Sequence, residues 1–118
     1  MKTLTRSIIL AFIFCGCEND STSDLIYGTM IDNATYTEHV KPIIDNNCIV
    51  CHAATPVNGA PMPLVTYANV REAAEDRGML DRISRAQGQP GMMPNGGTRL
   101  PQHQIDLIGQ WIAQGLQE

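Results

Sequence analysis

The 118-residue chain is long enough for one compact domain and too short for two. Its 12 acidic and 8 basic residues give a formal charge of −4, which disfavours binding to nucleic acid or anionic lipid headgroups. Four cysteines and three histidines leave thiol or metal chemistry open.

Residues 1–16 have the layout of a secretory signal peptide. Lys2 and Arg6 give a positive start, Ile8 to Phe14 form an apolar stretch, and small residues follow. That stretch is far below the roughly 20 apolar residues that cross a bilayer, which disfavours a retained transmembrane helix. We therefore expect the chain to be exported and this segment to be removed.

The run Phe14-Cys15-Gly16-Cys17 resembles the lipobox of bacterial lipoproteins, in which a cysteine after a small residue is acylated. Gly16 and Phe14 favour Cys17, although Cys15 stands where a smaller residue is typical. Ordinary cleavage nearby, giving a soluble periplasmic protein, is the alternative. Acylation of Cys17 predicts a cell-envelope protein that is anchored to a membrane and faces the periplasm or the cell surface.

Processing before Cys17 changes the charge and the cysteine count. It removes Lys2 and Arg6 but no acidic residue, so 6 basic and 12 acidic residues remain and the formal charge becomes −6. That charge disfavours nucleic acid and leaves a basic protein partner possible. Only Cys48 and Cys51 remain in the folded part, so any function has to explain a lone CxxC.

Residues 17–34 are predicted to be an acidic, flexible tether that begins at the acylated cysteine, and residues 35–118 the folded domain. Thr35-Tyr36-Thr37-Glu38 fits a capping box that opens a first helix before Cys48. Pro42 should kink this helix or split it into two short pieces.

Three further helices follow in the predicted domain. Thr66 can cap a helix that runs to about Asp76, and Gly78 should break it before a short helix that ends near Ala86. Pro101 suits the first turn of a last helix, which Gly115 should stop. No alternating pattern predicts a strand, so the expected fold class is all-α, with about four short helices.

Two irregular stretches lie between these helices, residues 53–63 with three prolines and residues 87–100 with four glycines and two prolines. The first follows the motif Cys48-Ile49-Val50-Cys51-His52. Two thiols at this spacing can add to the two vinyl groups of one haem, and the adjacent histidine can then bind the iron. Covalent attachment suits an exported protein, and the motif therefore predicts one haem c bound through Cys48 and Cys51.

A disulfide, a thioredoxin-type dithiol and a zinc site are alternatives for the same motif. A thioredoxin-type dithiol normally lies between a strand and a helix, and the sequence predicts no strand. Zinc needs a fourth ligand beside Cys48, Cys51 and His52, and only His39 and His103 remain as further histidines.

The motif after a short helix, Met93-Pro94 in a Gly-rich loop and a last helix with Trp111 are together similar to the monohaem class I cytochromes c. The similarity covers about residues 36–116 and is closest to small bacterial domains that read Val-x-Pro-Ile before the motif, as Val40 to Ile43 do. It implies a class I cytochrome c fold with loops around one haem. It also implies that Met93 is the second iron ligand after His52.

Other site assignments stay open at this stage. Met92 is the second candidate for the iron, and a bis-histidine iron would use His39 or His103. The resemblance also implies a loop proline, Pro61 or Pro63, whose carbonyl receives the free ring N–H of His52. Met62 is expected to pack over the haem ring. The candidates for pairing with haem propionates are Arg71, Arg77, Arg82, Arg85 and Arg99.

These residues together predict a single-electron carrier rather than an enzyme, because no set of side chains suggests a catalytic acid, base or nucleophile. Its partners would be a redox protein donor and a redox protein acceptor. The alternatives are a haem-based gas or redox sensor and a thiol- or metal-binding lipoprotein that uses the lone CxxC.

Overall fold

The computed structural model describes residues 30–118. The predicted signal peptide at 1–16, the acylation site at Cys17 and most of the tether lie outside this range. In the described part a π-helical turn, Tyr36–Val40, leads into four α-helices: α1 (Lys41–Asn47), α2 (Tyr67–Asp76), α3 (Met79–Ser84) and α4 (Gln102–Ala113). No strand occurs between residues 30 and 118, which agrees with the all-α prediction. None of the helices in this range is long and apolar enough to cross a membrane.

The first helical segment begins at the predicted cap. Thr35 Oγ1 accepts a hydrogen bond from the Glu38 N–H at 3.4 Å. The reciprocal bond differs from the expected capping box, because His39 Nδ1, and not the Glu38 side chain, accepts the Thr35 N–H at 3.1 Å. Pro42 lies where the segment divides into two short pieces, one of the two predicted outcomes: the π-helical turn ends at Val40 and α1 begins at Lys41. The backbone stays helical at Val40 and Lys41, so the type of helix changes there without a break in the chain direction.

The middle of the chain forms α2 and α3 almost as the sequence predicts. Thr66 Oγ1 caps α2 by accepting the Asn69 N–H at 3.2 Å. Gly78 then adopts φ +64°, a conformation that a glycine reaches without a steric penalty, and α3 begins at the next residue. Helix α3 ends at Ser84, two residues before the predicted end at Ala86.

The core lies where α4 packs against the first helical segment. Trp111 on α4 is fully buried, and its ring centroid is 6.3 Å from that of Tyr36. Its Nε1–H donates to the Gln117 carbonyl at 2.7 Å, so the one polar atom of the indole is satisfied. Val40 and Ile44 belong to the same core cluster as Trp111.

The packed region begins before Thr35. The side chain of Gln114, the residue that caps the C-terminal end of α4, accepts the Ala34 N–H at 2.7 Å and donates to the Ile31 carbonyl at 2.7 Å. Gln110 Oε1 accepts the Ile31 N–H at 3.1 Å. Residues 31–34, which the sequence assigns to the tether, are therefore held against α4 by two glutamine amides.

Replacing Gln114 with alanine should lower the free energy of unfolding by about 1–3 kcal/mol, because the buried Ala34 N–H and the Ile31 carbonyl both lose their partner. Urea denaturation followed by circular dichroism measures this change. Gln102→Ala is the matched control, since the Gln102 side chain at the start of α4 is exposed and bonds only the side chains of Arg99 and Asp106, and it should change the value by no more than about 0.5 kcal/mol. Equal effects of the two substitutions would contradict the structural role of Gln114.

Candidate cofactor site

A cavity of about 670 Å³ lies between the helices and both irregular loops. This volume is within the range of roughly 300–1,000 Å³ that is typical of cofactor and small-molecule sites. Apolar side chains from all four helices and from both loops form much of its wall. They include Ile44, Leu64, Ala73, Met79, Ile83, Leu100 and Ile108. The cavity is therefore suited to a large, mostly apolar ligand.

The CxxCH motif continues directly from α1. The Cys48 N–H donates to the Ile44 carbonyl at 2.8 Å, and the Cys48 carbonyl accepts the N–H groups of both Cys51 and His52, at 3.1 and 2.9 Å. The chain therefore turns tightly on the Cys48 carbonyl. Cys48, Cys51 and His52 all line the cavity.

A side-chain hydrogen bond determines the orientation and the tautomer of His52. The ring Nδ1 lies 2.8 Å from the Met62 carbonyl oxygen. Because a carbonyl can only accept, Nδ1 carries the proton, and Nε2 keeps its lone pair in the neutral ring. The His52 side chain is buried and lines the cavity, so Nε2 is the ring atom available to a metal there.

The partner of His52 differs from the one predicted. Neither the Pro61 nor the Pro63 carbonyl receives the ring N–H; the residue between them, Met62, does. A backbone hydrogen bond explains why Met62 is the partner: the Leu64 N–H donates to the His52 carbonyl at 2.8 Å, which aligns Met62 with the His52 ring. We call this pair of bonds, from His52 to Met62 and from Leu64 to His52, the His52 clamp.

The His52 clamp spans Pro63. This proline has no N–H, so the nearest donor beyond Met62 is Leu64. Met62 itself is half-buried, packs against the core and lines the cavity, a position compatible with the predicted packing against a bound ring.

The two cysteines are free thiols in different surroundings. Burial raises the pKa of the Cys48 thiol to about 11. The attacking thiol of a reactive dithiol needs the opposite shift, toward a thiolate at neutral pH, so Cys48 is not suited to that role. The Asn58 side-chain amide lies 3.6 Å from the Cys51 sulfur.

The structure separates the two candidate methionines. Met93 is half-buried and lines the cavity that also holds His52, and its N–H donates to the Arg82 carbonyl at 3.1 Å. Met92 is 5% exposed and lines a smaller neighbouring pocket instead. Helix α3 thus holds the Met93 backbone at the cavity through the Arg82 carbonyl.

The other histidines lie elsewhere. His39 accepts the Thr35 N–H at the start of the first helical segment, and His103 is exposed in the first turn of α4. Neither lines the cavity. In the part of the chain from residue 30 onward, no group of three or more His, Cys, Asp or Glu side chains is arranged to hold a metal ion. The geometry of these residues gives no support to the zinc or bis-histidine alternatives.

Two of the five candidate arginines reach the cavity. Arg77 and Arg82 line it, whereas Arg71, Arg85 and Arg99 do not. Arg85 is instead paired with Asp81 at 2.7 Å on the surface of α3. Arg99 donates to three backbone carbonyls and to the Gln102 side chain.

The residues present fit a covalently bound haem. The cavity brings together two thiols that can form thioether bonds, an imidazole whose tautomer is already suited to iron, and a methionine from a different segment. The surrounding apolar wall suits a porphyrin ring. Cys48, Cys51, His52 and Met93, predicted from the sequence, all line this one cavity.

Several wall residues were not predicted. Asn58 and the run from Asn95 to Gly97 line the cavity from the two loops. A signal for the first existed, because Asn58-Gly59 is a typical turn dipeptide and both residues adopt positive φ. The Asn58-Gly59 dipeptide predicts a turn. It does not predict that the turn lies beside Cys51, because that position depends on how the His52 clamp folds the loop back.

In a Cys51→Ser chain with no attached group, Cys48 should react slowly with iodoacetamide. With the pKa raised to about 11, the thiolate fraction at pH 8 is smaller than that of an ordinary cysteine by roughly a hundredfold, and the rate should rise until about pH 11. Alkylation rates measured against pH test this in a chain whose circular dichroism shows folded helices. A midpoint near that of a free peptide thiol would contradict the burial of Cys48.

The residues around the cavity are the basis for assigning a function to this chain. No family model, curated protein or solved structure matches it. Its resemblance to class I cytochromes c is therefore a prediction that depends on the CxxCH motif and the Met93 loop.

Proposed function

We propose that this protein is a single-electron carrier with one haem c, attached through Cys48 and Cys51 and ligated at the iron by His52 and Met93. The proposal includes a class I cytochrome c fold for residues 35–118. One observation supports it above the others: the His52 Nδ1–H is donated to the Met62 carbonyl, while the ring lies in a cavity shared with both cysteines and Met93. An imidazole held in this way presents Nε2 as a ready ligand.

When bound, haem supplies a reversible one-electron change between Fe(III) and Fe(II). The residues of the chain hold it in place and keep water away. Ile44, Leu64 and Ile108 supply apolar wall, and the half-buried Cys48 thiol, whose pKa is raised to about 11, is protonated at neutral pH before it forms a thioether. A thioether ligand from Met93 favours the reduced iron. No proton has to move to a catalytic side chain.

The part of the cavity wall next to the CxxCH motif is suited to contact with a protein partner. Val50 lines the cavity and is 80% exposed, so at this point little protein separates the cavity from solvent. Between Asn46 and Val70 the sequence contains no Asp, Glu, Lys or Arg. A redox donor or acceptor can therefore approach this wall without desolvating a charge, as a weak and transient contact requires.

We further propose that the chain is exported and anchored to a membrane of the cell envelope through an acylated Cys17. The apolar stretch at Ile8 to Phe14 and the lipobox-like run before Cys17 support this part of the proposal. Attachment at the N-terminus would leave the domain facing the periplasm or the cell surface.

The iron ligand from the second loop can be identified by spectra of protein produced with a c-type haem maturation system. Wild type should give a sharp reduced c-type spectrum and a far-red band in the oxidised form. Met93→Ala should lose the far-red band because Met93 lines the cavity, whereas Met92→Ala should keep it because Met92 does not. Colourless wild-type protein would contradict the electron-carrier proposal. Haem spectra that neither substitution changes would favour the sensor alternative.

Anchoring depends on one of two neighbouring cysteines. Cys17→Ser should move the protein from the membrane fraction to the soluble fraction, because the acylated residue is lost. Cys15→Ser is the matched control and should leave the protein in the membrane fraction, since it lies in the removed segment. Soluble wild-type protein would indicate ordinary signal cleavage instead.

A further inference from the structure

Arg82 differs from the other cations of the described residues in having almost no partner. Salt bridges pair Lys41 with Asp45, Arg71 with Glu75, Arg77 with Glu72 and Arg85 with Asp81. Arg99 has no carboxylate partner, but carbonyls and an amide oxygen accept its N–H groups. The Arg82 guanidinium makes a single contact, from Nη1 to the Gly91 carbonyl at 3.5 Å, which is long for a hydrogen bond.

The position of this guanidinium limits what it can bind. Arg82 lines the cavity from α3 and is exposed, so its charged group lies at the mouth, between the apolar wall and solvent. Arg77 also lines the cavity, but its Nε and Nη2 are both already bonded to Glu72, at 3.0 and 2.7 Å. A ligand that is apolar in the cavity and ends in a carboxylate at the mouth would satisfy Arg82 and leave the Arg77 pair intact.

We propose that Arg82 binds a propionate carboxylate of the cofactor at the mouth of the cavity and thereby raises the reduction potential of the iron. This inference depends on the proposed haem and selects one of the five candidate arginines. Two effects favour the reduced state. The positive charge disfavours the additional charge of Fe(III), and pairing with the carboxylate removes a negative charge that would stabilise Fe(III).

Arg82 is also connected to the second iron ligand. Its backbone carbonyl accepts the Met93 N–H at 3.1 Å, a bond that no side-chain substitution removes. The side chain can therefore be changed while the backbone support of Met93 is kept. This separation makes the charge of Arg82 testable apart from the ligation of the iron.

The experiment is a mediated potentiometric titration of the haem-loaded protein at one pH and ionic strength, for wild type, Arg82→Gln, Arg82→Lys and Arg71→Gln. Arg71→Gln is matched in charge change, but Arg71 lies roughly 200° around α2 from the cavity-lining Ala73 and does not reach the cavity. We expect a lower midpoint potential in Arg82→Gln, a smaller shift in Arg82→Lys and little shift in Arg71→Gln. The propionate bending band in the resonance Raman spectrum should move in Arg82→Gln only.

The outcomes separate this inference from the proposed function. An unchanged potential and Raman band in Arg82→Gln, with haem attached and the far-red band retained, would overturn the role of Arg82 and leave the carrier intact. Loss of the far-red band in Arg82→Gln would also overturn it, because Arg82 would then support the Met93 loop through Gly91. Wild-type protein without haem would overturn both.

Discussion

The His52 clamp is the constraint on which the rest of the site depends. The bond from His52 Nδ1 to the Met62 carbonyl and the bond from Leu64 to the His52 carbonyl, both 2.8 Å long, close the loop of residues 53–63 back onto the motif. Without this closure, Met62 and Leu64 would not line the cavity, and the tautomer of His52 would be free to change. One short loop therefore shapes part of the wall and leaves Nε2 as the His52 ring atom with a free lone pair.

The helices provide the frame for this clamp. The π-helical turn and α1 pack with α4 around Trp111, and α1 delivers Cys48 to the cavity through the bond from its N–H to the Ile44 carbonyl. Farther along the chain, α3 holds the Met93 backbone through the Arg82 carbonyl, which accepts the Met93 N–H. Segments that are about forty residues apart are thus brought to one cavity by two short helices. A thin apolar core of this kind gains stability from any large ligand that binds the folded state alone.

Local signals predicted the helices, whereas the partners in the loops required the structure. Thr66 and Gly78 act within one turn of the chain, so their effects on α2 and α3 could be read directly from the sequence. The choice of Met62 over its neighbouring prolines depends on a long-range backbone bond, which no local pattern contains. For the same reason, the sequence named five arginines equally, and only the folded chain shows that Arg82 lies at the cavity without a carboxylate partner among residues 30–118.

Covalent attachment of haem is the central claim, and the intact mass of the denatured protein tests it most directly. Protein co-produced with a c-type maturation system should carry the mass of one haem after denaturation. The Cys48→Ala and Cys51→Ala variants should each lose one of the two thioether bonds and keep the haem mass through the other. The double variant should carry no haem mass. A wild-type mass equal to that of the processed polypeptide, in cells that mature another c-type cytochrome normally, would contradict the account.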